Sequence, residues 1–272
     1  ELQDDLSPHL KDVAVVIHAA AVTLQNLTRY SDYYKINYTA AVQLMQAAIK
    51  MNVKKFIYVS TANTIGYGLD SALVVPEQKP MKPPFTQSFY ARSKAAAEDY
   101  MLRQKSKINV IIINPAFMIG AYDSKPSSGK IILMGMKRRL LFCPPGGKNF
   151  VAVADVAEVI EKCIHAGQNG KRYLVAGENI SYAGFFRKIR QQTHKMQCII
   201  PLPRFILNIM GYIGDVLRYC NIKTNLSSNN MRILCIDNFY SNSTSVKELQ
   251  IRYQDIDEAI AESIRYFRSN IA

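Results

Sequence analysis

The sequence predicts an α/β protein: a doubly wound parallel sheet followed by a smaller, mostly helical lobe. Three observations point there. Three apolar runs of strand length, Val13 to Ala21, Lys55 to Ser60 and Ile108 to Pro115, are nearly unbroken by polar residues. Segments with apolar residues at helical spacing separate them, and such alternation specifies a parallel sheet covered on both faces. The 272 residues are 49% hydrophobic and 20% charged, which suffices for a sizeable core and excludes a disordered chain.

Val13 to Ala21 (VAVVIHAAA) reads as a fully buried strand that ends in small residues. Tyr34 to Met51 follows as a helix, with Ile36, Ala40, Ala41, Leu44, Ala47 and Ala48 on one stripe. After the strand KFIYVS, glycines and prolines (Gly66, Gly68, Pro76, Pro80, Pro83, Pro84) mark a loop. A helix carrying Tyr90 and Lys94 then runs to about Gln104, and INVIIINP closes the unit.

Beyond Gly120 the texture changes. Asp123 to Lys130 is a polar loop, Ile131 to Leu141 a helix, and Pro144 to Gly147 a turn. Asn149 to Val153 is a short strand, and Asp155 is expected to N-cap a helix to Ala166. Lys171 to Ala176 is another strand, and Ser181 caps a helix with basic residues toward its end. Leu202 to Tyr219 is amphipathic and is expected in the lobe core rather than on a membrane surface. Asp255 to Asn270, with Ile256, Ile260, Ile264 and Phe267 in register, is the terminal helix. The division is thus 1–120 for the sheet and 121–272 for the lobe, with 149–177 packing back on the sheet.

Composition bounds the function. The formal net charge is +13, but the basic residues are scattered, without a long run or interleaved aromatics, so nucleic acid is not an expected partner. The five cysteines are spread out and lack C-x-x-C spacing, and the four histidines are isolated. A disulfide framework or metal site is not expected, and a reducing compartment, the cytoplasm, fits. No apolar stretch reaches the roughly 18 residues of a membrane span. A small-molecule substrate is the expected partner, and a homodimer is compatible.

Tyr90 and Lys94 lie four residues apart on one helix, hence on one face. A phenol titrates near 10 in water, and a neighbouring ammonium favours its anion. With a hydroxyl nearby, such a pair can pass a proton to or from an alcohol or carbonyl oxygen.

Around that pair the chain resembles the extended short-chain dehydrogenase/reductases, the NAD-dependent epimerase/dehydratase superfamily, and within it the dihydroflavonol-reductase-like branch. The matching segments, in order, are Val16-Ile17-His18-Ala19-Ala20, Asn37 with its helix, Phe56 to Thr61, Tyr90-x-x-x-Lys94, Asn114-Pro115 with Ile119-Gly120, Asp123-x-Lys125-Pro126-Ser127, Val153-x-Asp155-Val156-Ala157, and Arg172 to Glu178. The resemblance implies a Rossmann-like sheet and a nicotinamide cofactor, NAD or NADP, with NADP favoured for a reductase. It implies Tyr90 as the acid/base, Lys94 lowering the tyrosine pKa and binding the ribose, Thr61 bonding the substrate oxygen, and Asn37 supporting the active-site helix. Ala19, Ala20, Ala21, Ser60, Pro115, Ala116, Phe117 and Ile119 would line the cofactor. His18 is more plausible as a structural residue.

The family's glycine-rich dinucleotide loop is expected after the first strand, yet no G-x-x-G-x-x-G run occurs here. By analogy Val13 to Ala21 corresponds to the fourth strand, so the chain reads as amino-terminally truncated, with two strand–helix units missing. Alone it is expected to bind NAD(P) poorly; micromolar NADPH affinity by calorimetry would refute that. The activity the resemblance implies is reduction of a ketone or aldehyde, or oxidation of a secondary alcohol, on a small hydrophobic molecule. A nucleotide-sugar epimerase or dehydratase is the alternative in the same fold, and a non-catalytic remnant the alternative in another class.

Overall fold

The computed structural model describes residues 5–68 and 79–270. Pro76 of the expected loop lies outside them.

In chain order the first half comprises β1 (Val15–His18), α1 (Tyr30–Tyr34), a π-helical turn (Lys35–Ala40), α2 (Ala41–Lys50), β2 (Lys55–Val59), α3 (Phe89–Arg103), β3 (Asn109–Pro115) and β4 (Phe117–Ile119). The second half comprises α4 (Lys130–Lys137), β5 (Leu140–Cys143), β6 (Gly147–Ala152), α5 (Val153–Ala166), β7 (Lys171–Val175) and β8 (Glu178–Ser181). It ends with α6 (Tyr182–Thr193), β9 (Cys198–Pro201), α7 (Arg204–Tyr219), α8 (Ser228–Leu234), β10 (Asp237–Asn238), α9 (Ser243–Leu249) and α10 (Ile256–Asn270).

β1, β2, β3 and β7 form a parallel sheet in that order. Alternation along the strands sends side chains to two cores. Phe56, Tyr58, Val110 and Ile112 pack against Met45, Ala48, Ala97 and Met101 of α2 and α3. Ile57, Ile111 and Ile113 pack against Val156, Val159 and Cys163 of α5. Lys55 at the start of β2 donates to the Cys163 (3.1 Å) and Ile164 carbonyls at the carboxyl end of α5. There a cation meets the negative end of the helix dipole.

The lobe carries more strand than expected. β4 pairs parallel with β6, β10 pairs with β6 on its other side, and β8 pairs antiparallel with β6. β5 and β9 form a separate parallel pair. Ile132, Phe150, Phe185, Ile189, Ile260 and Phe267 form the lobe core, with the Phe150 and Phe185 rings stacked 4.0 Å apart.

The structure corrects four expectations. β1 is not fully buried: it is the sheet edge among the described residues, and Ile17 is 45% exposed. The run expected as one helix over 131–141 splits into α4 and β5, because Arg138 is extended and Leu140 to Cys143 alternate exposed and buried while pairing with β9. Asp155 is not the N-cap of α5. It is the third residue of that helix, and its buried carboxylate accepts from the backbone N–H of Ala152, the true N-cap, and of Gln254. That is the returning half of a capping box. Finally, α7 buries only Leu207, Gly211 and Gly214, leaving Phe205, Ile209, Tyr212, Ile213, Val216 and Tyr219 exposed. Ser181 does cap α6, accepting from Gly184 N at 3.1 Å.

Candidate active site

The candidate site lies at the carboxyl ends of β1, β2 and β3, where open α/β sheets hold ligands. β2 stops at Val59. Ser60 keeps its backbone bonded to Ile113 (2.7 Å), and Thr61 then turns the chain, its Oγ1 accepting from Asn63 N at 3.3 Å. Ser88 caps α3 with its hydroxyl on Ala91 N (3.3 Å), and the first two turns of α3 present Tyr90 and Lys94 toward the end of β2.

Tyr90 hydrogen-bonds the Thr61 side chain. Lys94 is 1% exposed; its Nζ donates to the Val59 carbonyl at 2.7 Å and lies 4.1 Å from the Tyr58 ring centroid. Burial pulls this ammonium down to about 7, with Glu98 opposing the shift. Burial likewise pushes the Tyr90 phenol up to about 12, opposed by the bond to Thr61. In this geometry the tyrosine is therefore raised, not lowered. The lysine can favour the phenolate only while it is itself charged, and desolvation works against charge on both.

Asn37 occupies the π-helical turn and is completely buried. It takes the Val22 N–H on Oδ1 at 2.7 Å, and its Nδ2 donates to Val22 O (3.1 Å) and Ser93 Oγ (3.0 Å). Ser93 Oγ in turn donates to the Tyr90 carbonyl at 2.8 Å. Asn37 thus ties the loop after β1 to the turn carrying Tyr90 and does not touch the phenol.

Ala19 and Ala20 are exposed just past β1, Ala21 partly so, and Ser60 is buried with its Oγ unpartnered. Pro115 is buried in β3, while Ala116 and Phe117 are partly exposed beyond it. Ile119 stands apart, 1% exposed inside the lobe core. His18 stacks on Tyr58 with centroids 5.7 Å apart, and its buried Nε2 has no partner. Desolvation, and then the Lys94 charge, push its pKa down to about 4, so the ring is neutral at ordinary pH.

Two features escaped the sequence. Glu98, one turn beyond Lys94, is buried and accepts from Thr64 Oγ1 (2.7 Å), Asn114 Nδ2 (2.7 Å) and Arg172 Nε (3.0 Å). Its spacing of four from Lys94 was the available signal. Lys148 of β6 lies 4.7 Å over the Phe117 ring, and burial holds its ammonium down at about 8. Its register partner Asn238 has Nδ2 3.5 Å from Asn63 Oδ1, beside the Thr61 turn. Nothing in the sequence distinguishes this lysine from the scattered surface ones. All five cysteines are free, and no cluster of metal-ligating residues exists among those described.

A parallel sheet with a tyrosine–lysine pair on the helix beside its carboxyl edge defines the extended short-chain dehydrogenase/reductase class. The chain belongs to the NAD dependent epimerase/dehydratase family, whose sequence model matches residues 3–176. It is 26% identical over 265 residues to "Sterol demethylase protein B" of Methylococcus capsulatus, covering 95% of this chain and 80% of that protein. A "Putative dihydroflavonol 4-reductase" of Synechocystis is 24% identical over 245 residues, 87% and 71% of the two chains. Mouse dTDP-D-glucose 4,6-dehydratase is 30% identical over 174 residues, 61% of this chain and 48% of that one. Among solved structures, gox2253 superposes with a TM-score of 0.84 at 26% identity, covering all of this chain and 84% of that one. RMD from Pseudomonas aeruginosa, complexed with NADPH, superposes at 0.75 with 16% identity, over 100% and 88% of the chains.

Proposed function

We propose that the protein is an NAD(P)-dependent oxidoreductase that reduces a carbonyl of a small hydrophobic molecule to a secondary alcohol, or runs the reverse. The observation that carries this reading is the Tyr90–Thr61 hydrogen bond, set beside a buried lysine amine at the end of β2. The surrounding residues suit the nicotinamide-ribose half of a cofactor. Ser60 Oγ and His18 Nε2 are buried without partners, and the exposed alanines after β1 allow a flat ring close approach.

A bound nicotinamide supplies the hydride. The chain's own residues manage the proton. Tyr90 gives its phenolic proton to the substrate oxygen as that oxygen gains charge, and Thr61 holds the phenol and shares the oxygen. Lys94, when charged, compensates the phenolate that remains until water returns the proton. The phenol, held high by burial, is protonated at neutral pH, the form that donates to a carbonyl oxygen.

Hydrophobic substrates are favoured because relatives named for sterol demethylation and dihydroflavonol reduction match most of this chain. The test is NADPH oxidation by the purified protein with a panel of sterol ketones and flavonoid ketones. Tyr90→Phe should lower kcat by roughly 10²- to 10⁴-fold; unchanged turnover removes Tyr90 from the mechanism. The dTDP-glucose dehydratase relative supports a second reading, in which a nucleotide sugar turns over with the cofactor recycled internally. Turnover of such a sugar with no added reductant would decide for it.

A further inference from the structure

We propose that the protein docks on anionic membrane surfaces, with α7 lying in the interface and the neighbouring β5–β9 pair carrying lipid-facing apolar and cationic groups. α7 is held from behind. Gly211 and Gly214 let α8 and its approach pack closely, since a Cβ on Gly211 would stand 2.8 Å from Ser228 Cα, and one on Gly214 would stand 2.4 Å from Leu226 O. That fixes which face is left outward. Phe205, Ile209, Tyr212, Val216 and Tyr219 follow at steps of four and three, so they form one stripe. All five are more than half exposed, and Tyr219 at the end of the stripe is 90% exposed. An exposed apolar stripe of this length on a monomer marks an interaction surface.

The apolar surface extends beyond the helix. Leu202, two residues before α7, donates its N–H to Cys143 O at 2.8 Å, which seats the start of the helix against the end of β5. On β5, Leu140 and Phe142 point outward, about half exposed. Leu140 pairs with Cys198, the first residue of β9. Cys198 also lines a groove of about 570 Å³ together with Arg139, Arg190, His194 and Lys195, and no acidic side chain lines it.

Charge selects the occupant. From His194 to Arg232 the basic residues are Lys195, Arg204, Arg218, Lys223 and Arg232, and the one acidic residue is Asp215. The Asp215 carboxylate is turned toward α8, where it accepts from the Ser228 N–H (3.1 Å) and hydroxyl. A second copy of this chain, itself at +13, would bring the same cations against one another. A phosphatidylserine-containing leaflet offers the opposite charge and an apolar layer for the aromatic stripe, which is the arrangement of an interfacial amphipathic helix. Among the described residues no helix is long and apolar enough to cross a membrane, so the contact is with one leaflet.

The test is flotation of the purified chain with vesicles of phosphatidylcholine alone and of phosphatidylcholine with phosphatidylserine. The chain should float with the second and not the first, and release as salt is raised. The double variant Ile209→Glu/Val216→Glu should lower the floated fraction at least tenfold, with circular dichroism unchanged because both positions face outward. Should that variant fail to fold, Tyr219→Glu at the most exposed position serves in its place, and Arg139→Glu/Lys223→Glu should weaken binding to the charged vesicles alone. Failure of the unaltered chain to float on charged vesicles overturns the proposal, as does flotation indifferent to these substitutions. A dimer in sedimentation velocity that Ile209→Glu/Val216→Glu dissociates, without flotation, would assign the face to a second copy instead.

Discussion

The Asn114 amide donates to Glu98 Oε1 at 2.7 Å, and this one contact joins the end of β3 to the helix that carries Tyr90 and Lys94. Asn114 Nδ2 also reaches the Thr61 carbonyl at 3.1 Å, while Glu98 takes the Thr64 hydroxyl and the Arg172 guanidinium of β7. Two strands of the sheet, β3 and β7, and the turn that follows Thr61 thus bond one buried carboxylate on α3.

Removing that carboxylate should therefore destabilise the fold and misplace the turn. Glu98→Ala takes the carboxylate from Arg172 and leaves Asn114 and Thr64 only the Thr61 carbonyl and each other as partners. We expect a loss of about 3 kcal/mol in urea unfolding, the low end for breaking a buried ion pair, because Arg172 is 30% exposed and recovers some hydration. Glu98→Gln keeps an acceptor for Asn114 or Thr64 and should lose clearly less. Equal losses for the two would show that the charge, not the hydrogen bonding, sustains the network.

Asn37 makes a prediction about the loop after β1. Its side chain is the hydrogen-bonding partner of Val22 on both N–H and C=O. Asn37→Ala should accelerate hydrogen exchange at the Val22 amide by at least tenfold while leaving the amides of β3 unchanged. Uniform acceleration across the sheet would instead mark Asn37 as a plain stability residue.

Lys94 gives the stability a pH dependence of definite sign. Its pKa falls from the usual 10.5 to about 7 on folding, so between those values the unfolded chain binds more protons than the folded one. Stability contributed through this site then rises with pH from about 7 to 10.5. Below 7 the folded chain carries the full penalty of a buried ammonium. Lys94→Met, which is apolar and of similar length, should be more stable than the parent at pH 6, and the difference should shrink toward pH 10. A difference independent of pH across that window would place the folded amine near its ordinary value.

How much of this was readable beforehand varies by element, for physical reasons. The strands around Ile57 and Ile111 were legible because burial on both faces demands unbroken apolar runs. The lobe strands were not. Leu140 to Cys143 is apolar throughout, and an apolar run of four following a helical stripe carries the signature of either element until its partner β9 is known. The Tyr90–Lys94 pair was legible from spacing. The direction of the tyrosine's shift was not, because it depends on how deeply both groups are desolvated, which spacing does not encode. Ile119 illustrates the same limit: adjacency to Pro115 suggested the cofactor side, whereas β4 turns it into the lobe core.

Gly120 tests the joint between β4 and α5. A Cβ there would stand 2.1 Å from Val153 Cγ1, closer than any packed carbon pair. Gly120→Ala must turn the half-exposed Val153 side chain aside or shift the first residue of α5, and overpacking of this kind costs about 1–3 kcal/mol. We expect a lowered melting temperature that the smaller partner in Gly120→Ala/Val153→Ala restores. Failure of that second change to restore it would locate the strain elsewhere.

Thr61 offers the most direct probe of the proton machinery, because its effect on Tyr90 can be read without turnover. Its hydroxyl bonds the phenol and is the first influence opposing burial of that group. Thr61→Val keeps the shape and removes the bond, so the phenol should titrate higher than in the parent. Ultraviolet difference spectra, taken against Tyr90→Phe to isolate this residue among sixteen tyrosines, measure that shift. In turnover the same substitution should cost about 100-fold in kcat with substrate KM little changed, since the bond serves the oxygen as it gains charge rather than the bound ground state. A raised KM with kcat intact would mean that Thr61 only binds substrate, and the proton would then pass through Tyr90 without its help.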